Sequence, residues 1–154
     1  IPSLRQCRTC HEAGVDPVLG FDALQLADSL DALGARGVFD RPPARIDIDA
    51  PDATTTEVLG YLQGNCVHCH NGVPGPANAF DMRHDVALAN LIERPTESGG
   101  VEPGIRVVPG EPDESVLYRS FLGLDGRAMP PVGVQRIDDD AGAMMRRWIE
   151  ELDE

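Results

Sequence analysis

Lysine is absent from this 154-residue chain: all 13 basic residues are arginine, set against 26 acids. That exclusive use of arginine reads as genome base composition, not mechanism. The formal charge of −13 excludes nucleic-acid binding by phosphate neutralisation. It fits a solvated surface, or one that docks on basic partners. Aromatic residues are scarce, at 5%, which predicts a thin protein-only core that something else helps to fill. No apolar run approaches ~18 residues, which excludes a transmembrane helix. No secretory leader is visible. Ile1-Pro2-Ser3 reads as already inside structure, so upstream sequence is expected to have been processed away or to lie outside this chain.

Cysteine is also rare, but its four copies are ordered. Cys7 and Cys10 form one C-x-x-C pair, and Cys66 and Cys69 form another. A histidine follows each pair at once, His11 and His70, although the whole chain has only four.

Between and after these motifs the pattern is mainly helical. Ile1 to Glu12 predicts a short helix with Leu4, Cys7 and His11 on one face. Leu26, Leu30 and Leu33 predict a second helix over 22–33, stopped by Gly34. Residues 36–54, with three prolines, predict an extended linker with a short strand at Arg45–Asp49. Thr54 and Glu57 form a capping box ahead of a helix carrying Val58, Leu62, Cys66 and Cys69 on one side. Residues 71–79 predict a loop. Asp85 is expected to cap a helix reaching Ile92, and 94–109 predict another loop. Asp113 is expected to cap 114–122, with Val116, Leu117 and Phe121 inward. Pro130-Pro131 excludes helix and central strand from 124–133. Asp138-Asp139-Asp140 suits the start of a last helix, with Ala141, Met144, Met145, Trp148, Ile149 and Leu152 on its apolar face. Residues 1–53 are thus an N-terminal segment and linker, and 54–154 a helical domain. Long ordered loops in so small a chain imply that they cover something functional.

C-x-x-C-H is the attachment signature of c-type haem. Two thiols three residues apart on a helical turn reach the two vinyl groups along one porphyrin edge. The next imidazole then lies under the ring, where it binds iron. Four thiolates on zinc are a rival, but the pairs are far apart for a zinc ribbon, and zinc requires no histidine after both. Disulfides within each pair would close tiny loops and constrain little. A thioredoxin-like pair requires a strand-to-helix context that is missing. Two haems are favoured over one haem with a structural pair, and zinc follows.

The ligand on the far side of each iron decides the job: His or Met suits electron transfer, an open position suits gas or peroxide chemistry. For the second haem the candidate is Met129, in a loop stiffened by Pro130-Pro131. Ordinary core filling is the alternative, and it is the default for Met82, Met144 and Met145. For the first haem the candidates are His68, which points away from the Cys66 and Cys69 side, and His84. A ligand from upstream sequence or another subunit follows. The plain alternative for His68 is a solvated residue at a variable position.

From Glu57 to Glu154 the chain resembles a class I cytochrome c domain, through "NCVHCHN", "MPPVG" and "MMRRWIEEL". With "PSLRQCRTCH", "LGFDALQL", "FDMR" and "VPGEPDESVLYRS" added, most of the chain resembles a family of bacterial dihaem c-type cytochromes. That resemblance implies that Cys7, Cys10 and His11 serve the first haem, and that Cys66, Cys69, His70 and Met129 serve the second. It also implies that chains of the family extend further upstream.

The function expected is electron transfer through two covalently bound haems c, between redox protein partners, without enzymatic activity. Two alternatives are a peroxidase-like enzyme with an open first haem and a subunit of a haem-stacking polymer of copies of itself. Against the enzyme, about 56 residues around the first motif leave little room for a shaped pocket. Haem c attachment outside the cytoplasm implies a periplasmic or extracellular location.

Overall fold

Asp138 fixes where the last helix begins. Its carboxylate accepts the Ala141 N–H at 3.1 Å, and a helix runs over Asp139–Glu151 behind it. The structure is a computed structural model. It describes residues 3–13, 18–41, 43–74, 80–97, 103–124 and 128–152. The α-helices among them are α1 (Leu4–His11), α2 (Leu30–Ala35), α3 (Ala53–Asn65), α4 (Ala87–Leu91), α5 (Val116–Phe121) and α6 (Asp139–Glu151). Short 3-10 turns at Ala27–Ser29 and Pro112–Glu114 lead into α2 and towards α5. The described residues contain no β-strand, only isolated bridges pairing Asn71 with Asp81, Ile92 with Val107 and Pro95 with Ile105. The fold is mainly helical, as expected.

The core lies where α3 and α6 cross, the most extensive helix pairing among the described residues. Val58, Leu59 and Leu62 from α3 meet Met145, Trp148 and Ile149 from α6, all within 1% of complete burial. Each such side chain contributes roughly 1.5–3 kcal/mol by leaving water. Met82, Ala87, Leu91, Val107 and Tyr118 complete the cluster. This core is mostly aliphatic, with Trp148 and Tyr118 as its aromatics, so scarcity of aromatics did not leave these helices without a protein core. Ile48 and Ala50 of the linker pack against it, so the linker is seated on the domain it precedes.

Several element boundaries differ from expectation. Residues 22–33 do not form one helix: the Asp22 carboxylate takes the N–H groups of Leu24 and Gln25 at 2.9 Å each, holding a turn, and α2 starts only at Leu30. Ser29 gives α2 no side-chain cap. Arg45–Asp49 forms no strand. Asp52, not Thr54, caps α3, accepting both the Thr55 N–H and its hydroxyl at 2.7 Å. Glu57, freed from a capping role, pairs with Arg147 of α6 at 3.1 Å. Asp85 makes no cap, and α4 is only Ala87–Leu91. Ser115, not Asp113, precedes α5, while Asp113 pairs with Arg146. Of the loop expected over 71–79, residues 75–79 lie outside the described residues, as do 98–102 and 125–127 of the later loops.

The two caps give two expected results. Asp138→Ala should cost about 1 kcal/mol, lowering the melting temperature by ~2–4 °C. An unchanged melt followed by circular dichroism would contradict the cap. The hydrogen bonds from Thr55, backbone first, hold the Asp52 carboxyl below its ordinary range. Its stabilisation is therefore present above the unfolded carboxylate pKa and lost as pH falls through the lower folded value. Asp52→Asn keeps a cap acceptor but loses the charge, so its stability should fall less steeply on acidification than wild type. Equal acid slopes in urea titrations would remove Asp52 from the account.

Candidate functional site

The first motif is carried by α1. Ser3 starts the helix with a reciprocal capping box: its side chain accepts the Gln6 N–H at 3.3 Å, while Gln6 Oε1 accepts the Ser3 N–H at 2.8 Å. Eight residues follow, ending at His11, none of them buried. Cys7 is exposed and Cys10 half-buried. Little apolar burial holds so bare a helix in place, and its docking is polar and local to the second motif. Cys69 Sγ approaches the Thr9 carbonyl oxygen at 4.0 Å, and Asn71 Nδ2 donates to the Ala13 carbonyl at 3.4 Å.

The second motif begins where α3 stops. Cys66 is the C-cap, and residues 66–69 turn so that the N–H groups of Cys69 and His70 bond the Cys66 carbonyl at 3.0 and 2.8 Å. The sequence expectation of one continuous helical side ending in Cys66 and Cys69 is corrected here. Cys66 packs against the core, whereas Cys69 faces α1. Burial, with Cys69 nearby, pushes the Cys66 thiol up to about 12. Burial, then Cys10, pushes the Cys69 thiol up to about 11. These are the reverse of the depressed values that make a cysteine a redox nucleophile, which argues against a thioredoxin-like pair.

His68 and His70 diverge. His70 stacks on Phe80, ring centroids 4.8 Å apart, and the Arg106 guanidinium sits 4.0 Å over that same Phe80 ring. Its Nδ1 is buried without a hydrogen-bond partner among the described residues. Burial, then His68 and Arg106, lowers its pKa. His68 is half-buried and turned towards α1. Burial, then His11, lowers its pKa as well. The ligand atoms of Cys10, His68 and Cys69 all lie within 4.8 Å of one another.

Beside that cluster is a cavity of about 250 Å³ whose walls include Cys7, Cys10, His11 and His68. Val132 and Gly133, from the loop that follows Met129, also line it. Met129 itself is half-buried, and its N–H bonds the Ser120 carbonyl at 2.9 Å, tying the loop to α5. The structure thus joins Cys7, Cys10, His11 and His68 around one space. His70 stands apart against Phe80. His84 is half-buried ahead of α4 and does not line the cavity. Met82 and Met145 are core residues, as their spacing implied.

Arg106 and Phe80 were missed from sequence. Arg106 is 7% exposed, donates to the Asn90 carbonyl at 2.7 Å, and pairs with Glu97 at 3.2 Å. Its one signal was position: an arginine enclosed by Ile105 and Val107 in "GIRVV".

Two features of these residues suit a haem. The cavity presents two thiols and an imidazole of one motif to a common space, with a second imidazole on its wall. Its volume is below the ~300 Å³ at which ligand pockets usually begin, so a haem would stand largely outside it, on the side where Cys7 and His11 are exposed. At the second motif, His70 is a half-buried imidazole whose Nδ1 has no partner among the described residues, a donor suited to metal. No family model, curated protein or solved structure matches the chain. No helix among the described residues is long and apolar enough to cross a membrane.

Proposed function

We propose that the chain is a dihaem c-type cytochrome that relays single electrons between redox protein partners. The observation that carries this is the meeting of the two C-x-x-C-H motifs. Thr9 and Cys69 are 60 positions apart in sequence, yet the motifs share one cluster and one cavity wall. Bound haem c supplies a one-electron iron couple. Cys7 and Cys10 on α1, and Cys66 and Cys69 after α3, would hold the two groups through thioether bonds. His11 and His70 would each give an imidazole nitrogen to iron. Phe80, with Arg106 above it, fixes the His70 ring. Met129 would offer its thioether to the second site from the loop anchored on Ser120. The acidic surface, formally −13 overall, steers the protein to basic partners. Haem c attachment outside the cytoplasm makes the proposed location periplasmic or extracellular.

A second reading has one observation in its favour. Cys10, His68 and Cys69 are close enough to bind one soft divalent ion, although structural zinc takes four ligands and the cluster offers three. Anaerobic reductive titration separates the two. The cytochrome reading expects two one-electron steps per chain in the visible spectrum. A colourless protein with one zinc per chain would overturn it.

A further inference from the structure

The dihaem reading, on which this inference rests, leaves open what binds the far face of the first iron. In a C-x-x-C-H site the two sulfurs mark one porphyrin edge, and the following histidine marks one face. The ligand for the other face must come from another part of the chain and lie within reach of those sulfurs. His68 meets both conditions. It lines the cavity that holds Cys7, Cys10 and His11, and its ligand nitrogen lies within 4.8 Å of Cys10 Sγ. Its neighbours are committed elsewhere: Cys66 to the core, and His70 to Phe80. The turn after α3 therefore separates the motif into two directions, with His68 delivered to α1. His84, the remaining histidine, lies off the cavity wall.

We propose that His68 is the sixth ligand of the iron held by His11. The histidine inside one attachment motif then serves the haem of the other. One peptide bond, His68 to Cys69, separates a ligand of the first site from a thioether of the second. The pair becomes one unit, with a short path for the electron. The first site, with two imidazoles, is the lower-potential member against a Met-ligated second site, since a thioether ligand raises the potential. Transfer from the first site to the second would then be downhill.

The test uses the full, haem-loaded chain. His68→Ala, His68→Met and His84→Ala are each checked first for two haems by intact mass, then examined by electron paramagnetic resonance in the oxidised state. The expected result is that His68→Ala turns one of two low-spin signals high-spin and that added imidazole restores it. His68→Met should keep that iron low-spin with an added near-infrared sulfur-to-iron band, and His84→Ala should change nothing. Wild-type spectra retained in both His68 variants would overturn the assignment. So would loss of the signal in His84→Ala, or a first haem in wild type that is already high-spin or binds carbon monoxide readily when reduced. If His68→Ala does not accumulate, His68→Met and the carbon monoxide measurement on wild type decide. Fewer than two haems on the wild-type chain would overturn the dihaem reading itself, whereas two haems with unaltered spectra would overturn only the role of His68.

Discussion

Trp148→Ala is expected to lower the free energy of unfolding by about 3–5 kcal/mol. Trp148 is 1% exposed and heads the largest fully buried side chains. It is centred where α6 packs on Val58, Leu59 and Leu62 of α3, so truncation opens a cavity between the two helices that define the domain. Folded proteins hold only ~5–15 kcal/mol in reserve, so the variant should be partly unfolded at 37 °C. Trp148→Phe, which keeps a ring and removes the buried indole N–H that has no partner among the described residues, should cost much less. Urea titration of the loaded proteins measures both. A loss below about 1 kcal/mol for Trp148→Ala would mean that the α3–α6 contact is not the core of the domain.

Met129→His carries the second large effect. Replacing a thioether by an imidazole exchanges a potential-raising ligand for a lowering one, and axial ligands command a span of roughly 0.8 V across haem proteins. One of two reduction waves should move down by a sizeable fraction of that span, and the near-infrared sulfur-to-iron band should vanish. Ser120 and α5 anchor the loop through the Met129 N–H, which the substitution leaves in place. Persistence of the near-infrared band would exclude Met129 as a ligand. Val132 and Gly133 wall the α1 cavity, so the same spectra also show which iron Met129 serves. If the wave that moves belongs to the haem lost in Cys7→Ala/Cys10→Ala, Met129 serves the first site.

The sequence disclosed those parts that repeat with a helical period or that carry rare residues in fixed spacing. The α6 stripe Ala141, Met145, Trp148 and Ile149 was legible because four apolar positions recur on one face, and all four are buried. The start of α6 was legible because Asp138-Asp139-Asp140 stands immediately ahead of that stripe, although Asp138 was not singled out as its cap. At α3, Asp52 and Thr54 competed for one role. Asp52 takes it by satisfying the Thr55 N–H and hydroxyl together, a choice that depends on how the chain leaves Pro51. Tyr118 was overlooked because a phenol does not announce burial. It is 7% exposed, with its hydroxyl accepting from Arg146 Nε at 3.0 Å and its ring under the same guanidinium.

The candidate site was legible in its membership but not in its assembly. Cys7, Cys10, His11, Cys66, Cys69 and His70 were evident from spacing alone. That α1 docks on the second motif was not, because the contact rests on single atoms such as Cys69 Sγ and Asn71 Nδ2 that leave no periodic trace. Elimination among four histidines left His68 and His84, and the side of the helix away from Cys66 and Cys69 favoured His68. The cavity supplies a spatial reason, since His68 and His11 share its wall.

The central claim is that each C-x-x-C-H motif holds one haem c. Intact mass of the protein produced with a c-type maturation system, taken with its pyridine haemochrome spectrum, tests this directly. The expected result is a mass increase of two haems that survives denaturation, with a haemochrome of the c type at two per chain. An unmodified mass, or haem that dissociates on denaturation, would contradict the account.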